Sequence, residues 1–144
     1  MSGFKNLHIE KQWTTKFGEY LAEDIYVLLN KNYNPRPKKY KNFQIDGETN
    51  SEILEVKIGT YFTPGTAFEK ILGTPYKYCE LPNHFQKPLK IICIGQIEQY
   101  GHSQQLFQDC YIDNHRKPFH DLYKKLNIEY VRFTELLHKF YIRN

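Results

Sequence analysis

In TKFGEYLAEDIYVLLN, residues 15–30, Phe17, Leu21, Ile25 and Leu28 recur at helical spacing, and the pattern predicts a helix with that face buried. Thr14 or Thr15 is placed to cap it. Glu19 and Glu23, four apart, fall together on the opposite side. Two prolines in KNYNPRPKKYKN, residues 31–42, stop the helix. Two alternating stretches follow, near 42–47 and 52–61, joined by the turn-like Gly47-Glu48-Thr49-Asn50. Pro64-Gly65 breaks the second. A helix is expected over 66–72, interrupted by Gly73-Thr74-Pro75, with 76–81 extending or restarting it. PLKIICIGQI, residues 88–97, is nearly all apolar and reads as a strand buried on both faces, which requires helices above and below it. Residues 98–116 look polar and irregular. Pro118 suits the first turn of another helix, with Phe119, Leu122 and Leu126 as its buried stripe. IEYVRF, 128–133, is a strand, and Thr134 is placed to cap a last helix, ELLHKFYI. This order predicts an α/β (α+β) fold with a central mixed sheet flanked by helices.

The length of 144 residues suits a single domain over 1–144, and 40% apolar residues with 12 Tyr and 10 Phe suit a packed core. No run of 18 apolar residues occurs, and MSGFKNLHIEKQW has no hydrophobic signal core, so no membrane association and a cytoplasmic location are expected. Cys79, Cys93 and Cys110 form no CxxC and are odd in number, which suits reduced thiols, with Cys93 in the core. A net charge of +4 permits a nucleic-acid partner without requiring one.

Local charge changes the picture more than the total does. Arg36, Lys38, Lys39 and Lys41 alternate with Tyr33 and Tyr40, which suits either phosphate and base contact or a solvated loop. In the second strand Leu54, Val56 and Ile58 share one face, and Ile53, Glu55 and Lys57 the other. In the first, Phe43 and Ile45 share a face, leaving Gln44 and Asp46 on the reverse. A hairpin then brings Asp46 beside Glu55. Two adjacent carboxylates favour a cation or a proton between them, and hard oxygen ligands suit Mg²⁺. Lys57 beside them would orient a water or neutralise developing charge. Cross-strand ion pairs on a solvent face would give the same pattern. Glu19 and Glu23 are likewise either aimed at such a site or solvated.

Ile45-Asp46-Gly47 followed by Glu55-Val56-Lys57 resembles the motif of the PD-(D/E)xK nuclease superfamily, with its restriction-endonuclease-like core. Ile45 stands where the proline is usual. Gly65-Thr66-Ala67-Phe68-Glu69-Lys70 is similar to the GTA-x-EK segment after the catalytic strand of some members, and Gly18-Glu19 to their helix glutamate. The likeness covers about residues 17–97. It implies a Mg²⁺-dependent DNA endonuclease, in which Mn²⁺ can substitute. Asp46, Glu55 and the Val56 carbonyl would hold the metal, Lys57 would assist the attacking water, and Glu19, with Glu23 its rival, would be an optional fourth acid. Thr66 and Lys70 would lie near the DNA backbone, with Arg36, Lys38, Lys39, Lys41 and segment 98–120 as further contacts. Cutting both strands would most simply use a homodimer. The alternatives are a non-catalytic nucleic-acid-binding module and a subunit of a larger nuclease complex. Asp113, His115 and His120 lack the hairpin of a ββα-metal site, and nothing in the sequence orients Cys110 with His115 as a thiol enzyme.

Overall fold

The computed structural model of the chain describes residues 15–29, 31–59 and 65–143. Thr14, the last helical residue predicted before the proline loop, and the strand end up to Pro64 lie outside them. Helix α1 spans Thr15–Leu28, strand β1 Gly47–Glu48 and strand β2 Ile53–Gly59. Helix α2 (Gly65–Glu69), a 3₁₀ turn (Lys70–Gly73), α3 (Thr74–Lys77) and α4 (Leu81–Phe85) lead to β3 (Leu89–Gly95). Then come α5 (Gln96–Ser103), α6 (Lys117–Leu126), β4 (Ile128–Arg132) and α7 (Phe133–Arg143). The four strands form one mixed sheet in the order β1-β2-β3-β4. β1 runs antiparallel to β2, and β2, β3 and β4 are parallel.

The sheet is covered on both faces, as the apolar run of β3 demands. On one face α1 and α7 pack against Leu54, Val56, Ile92, Ile94 and Val131. On the other, the short helices between β2 and β3, together with α5 and α6, cover Ile53, Leu89, Ile91, Cys93 and Tyr130. Alternation along β2 therefore divides its side chains between the layers as the sequence implies. Replacing a fully buried residue such as Ile91 with Ala is expected to cost about 2–5 kcal/mol.

Several sequence expectations need correction. The buried face of α1 is Gly18, Ala22, Ile25, Tyr26 and Leu29, whereas Phe17 and Leu28 are exposed. Small residues let the helix approach the sheet: a Cβ on Gly18 would lie 2.9 Å from Ile58 Cγ2. Leu and Phe at the same spacing would hold it off. Gly47 and Glu48 belong to β1, and the turn falls at Thr49–Glu52, where Thr49 Oγ1 accepts from the Glu52 N–H at 3.0 Å. Residues 98–103, expected to be irregular, belong to a helix that starts at Gln96 and ends the strand expected over 88–97 at Gly95, whose φ of 67° suits glycine. Thr134 lies inside α7 and does not cap it. The Glu98 carboxylate does so from α5, accepting from the Thr134 N–H at 3.0 Å and its hydroxyl at 2.8 Å. Glu98→Ala should lower stability by about 1 kcal/mol, measurable as a lower denaturation midpoint.

Among the described residues no helix is long and apolar enough to cross a membrane.

Candidate active site

β1 is short because a side chain takes over its ladder. The Asp46 N–H still donates to the Leu54 carbonyl at 3.0 Å. One step further, the Val56 N–H donates to Asp46 Oδ2 at 2.7 Å, where a backbone carbonyl would stand in a longer strand. The N–H and C=O of one strand residue point to the same edge, so the Val56 carbonyl faces this edge too. The register pairs Gly47 with Leu54, and because the Asp46 N–H also reaches the Leu54 carbonyl, two residues oppose one there; the Asp46 carboxyl turns inward beside that of Glu55.

Glu55 is only 5% exposed. Its Oε2 lies 3.2 Å from Lys57 Nζ, and its buried Oε1 has no hydrogen-bond partner. The Asp46 carboxyl is pushed up to about 8, first by burial and then by the Glu55 charge, against the opposing pull of the Val56 N–H; contact with the Glu55 carboxyl and the charge of Glu19 push the same way. A buried carboxyl pair with an unpaired oxygen favours either a proton or a cation between its members. The donor set fits a hard divalent ion: two carboxylates with an unpartnered oxygen, and a carbonyl on the same edge. Among the described residues no group of three or more His, Cys, Asp or Glu side chains gathers into a metal-binding cluster.

Two tyrosines that the sequence did not single out as site residues border the pair. Tyr78 is buried, and its hydroxyl is held protonated by burial and then by Glu55. Tyr33, read in the sequence as part of an open basic loop, stacks on Tyr26 at 5.8 Å with its hydroxyl buried and unpartnered. Burial and then Asp46, Glu23 and Glu19 raise the pKa of Tyr33. The charges of both half-buried acids of α1 are therefore felt at Tyr33, and that of Glu19 also at Asp46. Gly47 lets Tyr33 in, because a Cβ there would overlap the phenol. Gly47→Ala is expected to cost about 1–3 kcal/mol through overpacking, with a Tm several degrees below wild type.

The basic loop is pinned to the same strand. Asn34 bridges to Glu48, and Gln44 Nε2 donates to the Pro37 carbonyl at 2.6 Å. Arg36, Lys38 and Lys39 are exposed, whereas Lys41 is held by Glu80 at 2.8 Å. Thr66 and Lys70 are exposed on α2 and the turn after it. The remaining candidates do not converge on the acid pair. Asp113 binds Arg116 and Gln105, and His120 Nε2 meets the Gln105 carbonyl at 2.7 Å. Cys110 faces His102 Nδ1 at 3.7 Å rather than His115, with Arg132 Nη2 at 3.4 Å from the sulfur.

Comparison of the chain with protein-family models, with curated proteins and with solved structures found no match.

Proposed function

We propose that this chain is a Mg²⁺-dependent DNA endonuclease. The observation that carries the reading is the buried Asp46–Glu55 pair, with Glu55 Oε1 unpartnered and Lys57 on Oε2. Asp46, Glu55 and the Val56 carbonyl would hold Mg²⁺, which when bound polarises a phosphodiester and offsets the negative charge that builds on it. Lys57, half-buried beside Glu55, orients a water for in-line attack and neutralises charge on the phosphoryl oxygens. Glu55 fixes the Lys57 ammonium, and the Val56 N–H fixes Asp46. Glu19 adds negative charge near Asp46, so a cation is favoured there beyond what the pair alone provides. The exposed Arg36, Lys38 and Lys39, on a loop tied to the site strand, supply phosphate contacts, and two copies would cut the two strands.

Incubation of duplex, single-stranded and branched DNA with the protein tests the reading. Cleavage in Mg²⁺ or Mn²⁺ that stops in EDTA is expected, and intact DNA in every condition would refute it. One observation favours the second reading, a non-catalytic nucleic-acid-binding module: no third metal-binding side chain joins the pair among the described residues. In that case DNA binds and is never cut.

Arg36→Ala, Lys38→Ala and Lys39→Ala combined should weaken DNA binding and shallow its salt dependence, by about 0.9 in log–log slope for each phosphate that is no longer neutralised. An unchanged slope would move the DNA surface elsewhere. Lys41→Ala alone should change the slope less, because Glu80 already holds that ammonium.

A further inference from the structure

Helix α6 alternates apolar and polar residues strongly, yet it buries none of them. Tyr123 and Leu126 reach the core in part, but Phe119 and Leu122 remain 57% and 48% exposed, against the sequence expectation of a buried stripe. The layer beneath is already filled. Phe107 bridges to β4 at Tyr130, and the Tyr130 hydroxyl donates to the Ile71 carbonyl of the 3₁₀ turn. Between α6 and these segments lies a cavity of about 280 Å³. Leu72, Leu106, Phe119 and Tyr123 form its apolar walls, with Gln104, Arg116 and His120 among them. His120 Nε2 sits 2.7 Å from the Gln105 carbonyl and so donates to it.

Helix α6, which forms one side of the cavity, is mainly basic. Lys117, Lys124 and Lys125 lie on α6 with Asp121 as its one acid. Among the described residues those lysines enter no salt bridge, while Arg116 is paired with Asp113. An aromatic wall beside amide, imidazole and guanidinium groups suits a flat heterocycle with a hydrogen-bonding edge better than an alkyl chain. Lys124, which lines the adjoining depression with His120 and Tyr123, suits a ligand that continues as a polyanion. A base paired inside a duplex is stacked and cannot enter, whereas an unpaired base can.

We infer that this cavity holds an unpaired nucleobase of a DNA strand whose phosphates follow the α6 lysines. The inference rests on the nuclease reading and extends it by naming the substrate class: DNA with an unpaired segment. The placement suits that role. Tyr123 packs on Tyr130 at 5.8 Å, and Tyr130 shares a row of the sheet with Ile91 and Glu55. Two strand spacings, about 10 Å, separate the Glu55 and Tyr130 backbones, a span that a few nucleotides cover.

The test is equilibrium binding in EDTA of a fluorescent oligothymidylate, the same backbone made wholly abasic, and a fully paired duplex. The wild type should bind the base-bearing strand about tenfold more tightly than the abasic one, the scale of a stacked base. Phe119→Ala should abolish that ratio and Phe119→Tyr should retain it. Phe119 is exposed, so both variants should fold, as circular dichroism checks. Lys124→Ala with Lys125→Ala should weaken both strands alike. Equal affinity for base-bearing and abasic strands, or a Phe119→Ala ratio equal to that of wild type, would overturn the site. Mg²⁺-dependent cleavage is read separately. Cleavage without a base-dependent ratio removes this inference and keeps the nuclease, and a base-dependent ratio without cleavage does the reverse.

Discussion

Lys57→Ala is expected to fold and to lose DNA cleavage by about two to three orders of magnitude, the scale of removing one preorganised charge from a transition state. The ammonium is 3.2 Å from Glu55 Oε2 and still partly open to solvent, so it can serve both the carboxylate and an incoming phosphate. Its loss leaves Glu55 without its cation, which should lower the Tm somewhat. The acid pair limits that cost because it can bind a proton instead. Rates should therefore be compared below both melting midpoints. A variant that cuts at the wild-type rate would show that Lys57 is only the structural partner of Glu55.

Asp46→Asn should abolish cleavage and at the same time make the metal-free protein at least as stable as wild type at neutral pH and above. The sign follows from the raised Asp46 pKa. The unfolded carboxyl releases its proton near 3.8, the ordinary value for an aspartate, and the folded one only at about 8. Between these values the folded chain binds more protons than the unfolded chain, so stability falls as pH rises through that window. Asparagine keeps an acceptor for the Val56 N–H and supplies a donor toward Glu55 without the charge. The variant should lose the fall in Tm between about pH 4 and pH 8, and it should gain little from Mg²⁺, which stabilises the wild type by binding the folded state. Thermal melts across pH, with Mg²⁺ and with EDTA, read both effects. A variant that melts far below wild type while Mg²⁺ leaves the wild type unmoved would make Asp46 a structural residue.

The sheet was legible because its signals are local. Apolar β3 implied cover on both faces, and the two-residue alternation of β2 separated Glu55 and Lys57 from Leu54 and Val56. The adjacency of Asp46 and Glu55 followed from a short hairpin. Other features depend on packing that periodicity does not carry. Apolar periodicity gives the wrong orientation for α1 because Gly18 and Ala22 weigh little in such a pattern, yet they are what let the helix close on Ile58. The charges of Glu19 and Glu23 are felt at Tyr33, and that of Glu19 at Asp46. Tyr78 meets Glu55 through a fold of three short helical segments whose geometry no spacing rule gives. The apolar stripe of α6 reads as buried from its spacing, yet only Leu126 of its three residues packs against the core, because Phe107 and the 3₁₀ turn take the space over β4. Local sequence points to Thr134 as the cap on α7, but the carboxylate that caps it stands 36 residues earlier, on α5.

The central claim is that the acid pair is a metal-dependent catalytic centre. The direct measurement is cleavage of the same mixed DNA by wild type and by Glu55→Gln, prepared identically, in Mg²⁺ and in EDTA. The substitution keeps the shape of a side chain that is almost wholly buried, so both proteins should be folded. Products are predicted only from the wild type and only with Mg²⁺. Equal cleavage by Glu55→Gln, or products from either protein in EDTA, would contradict the claim.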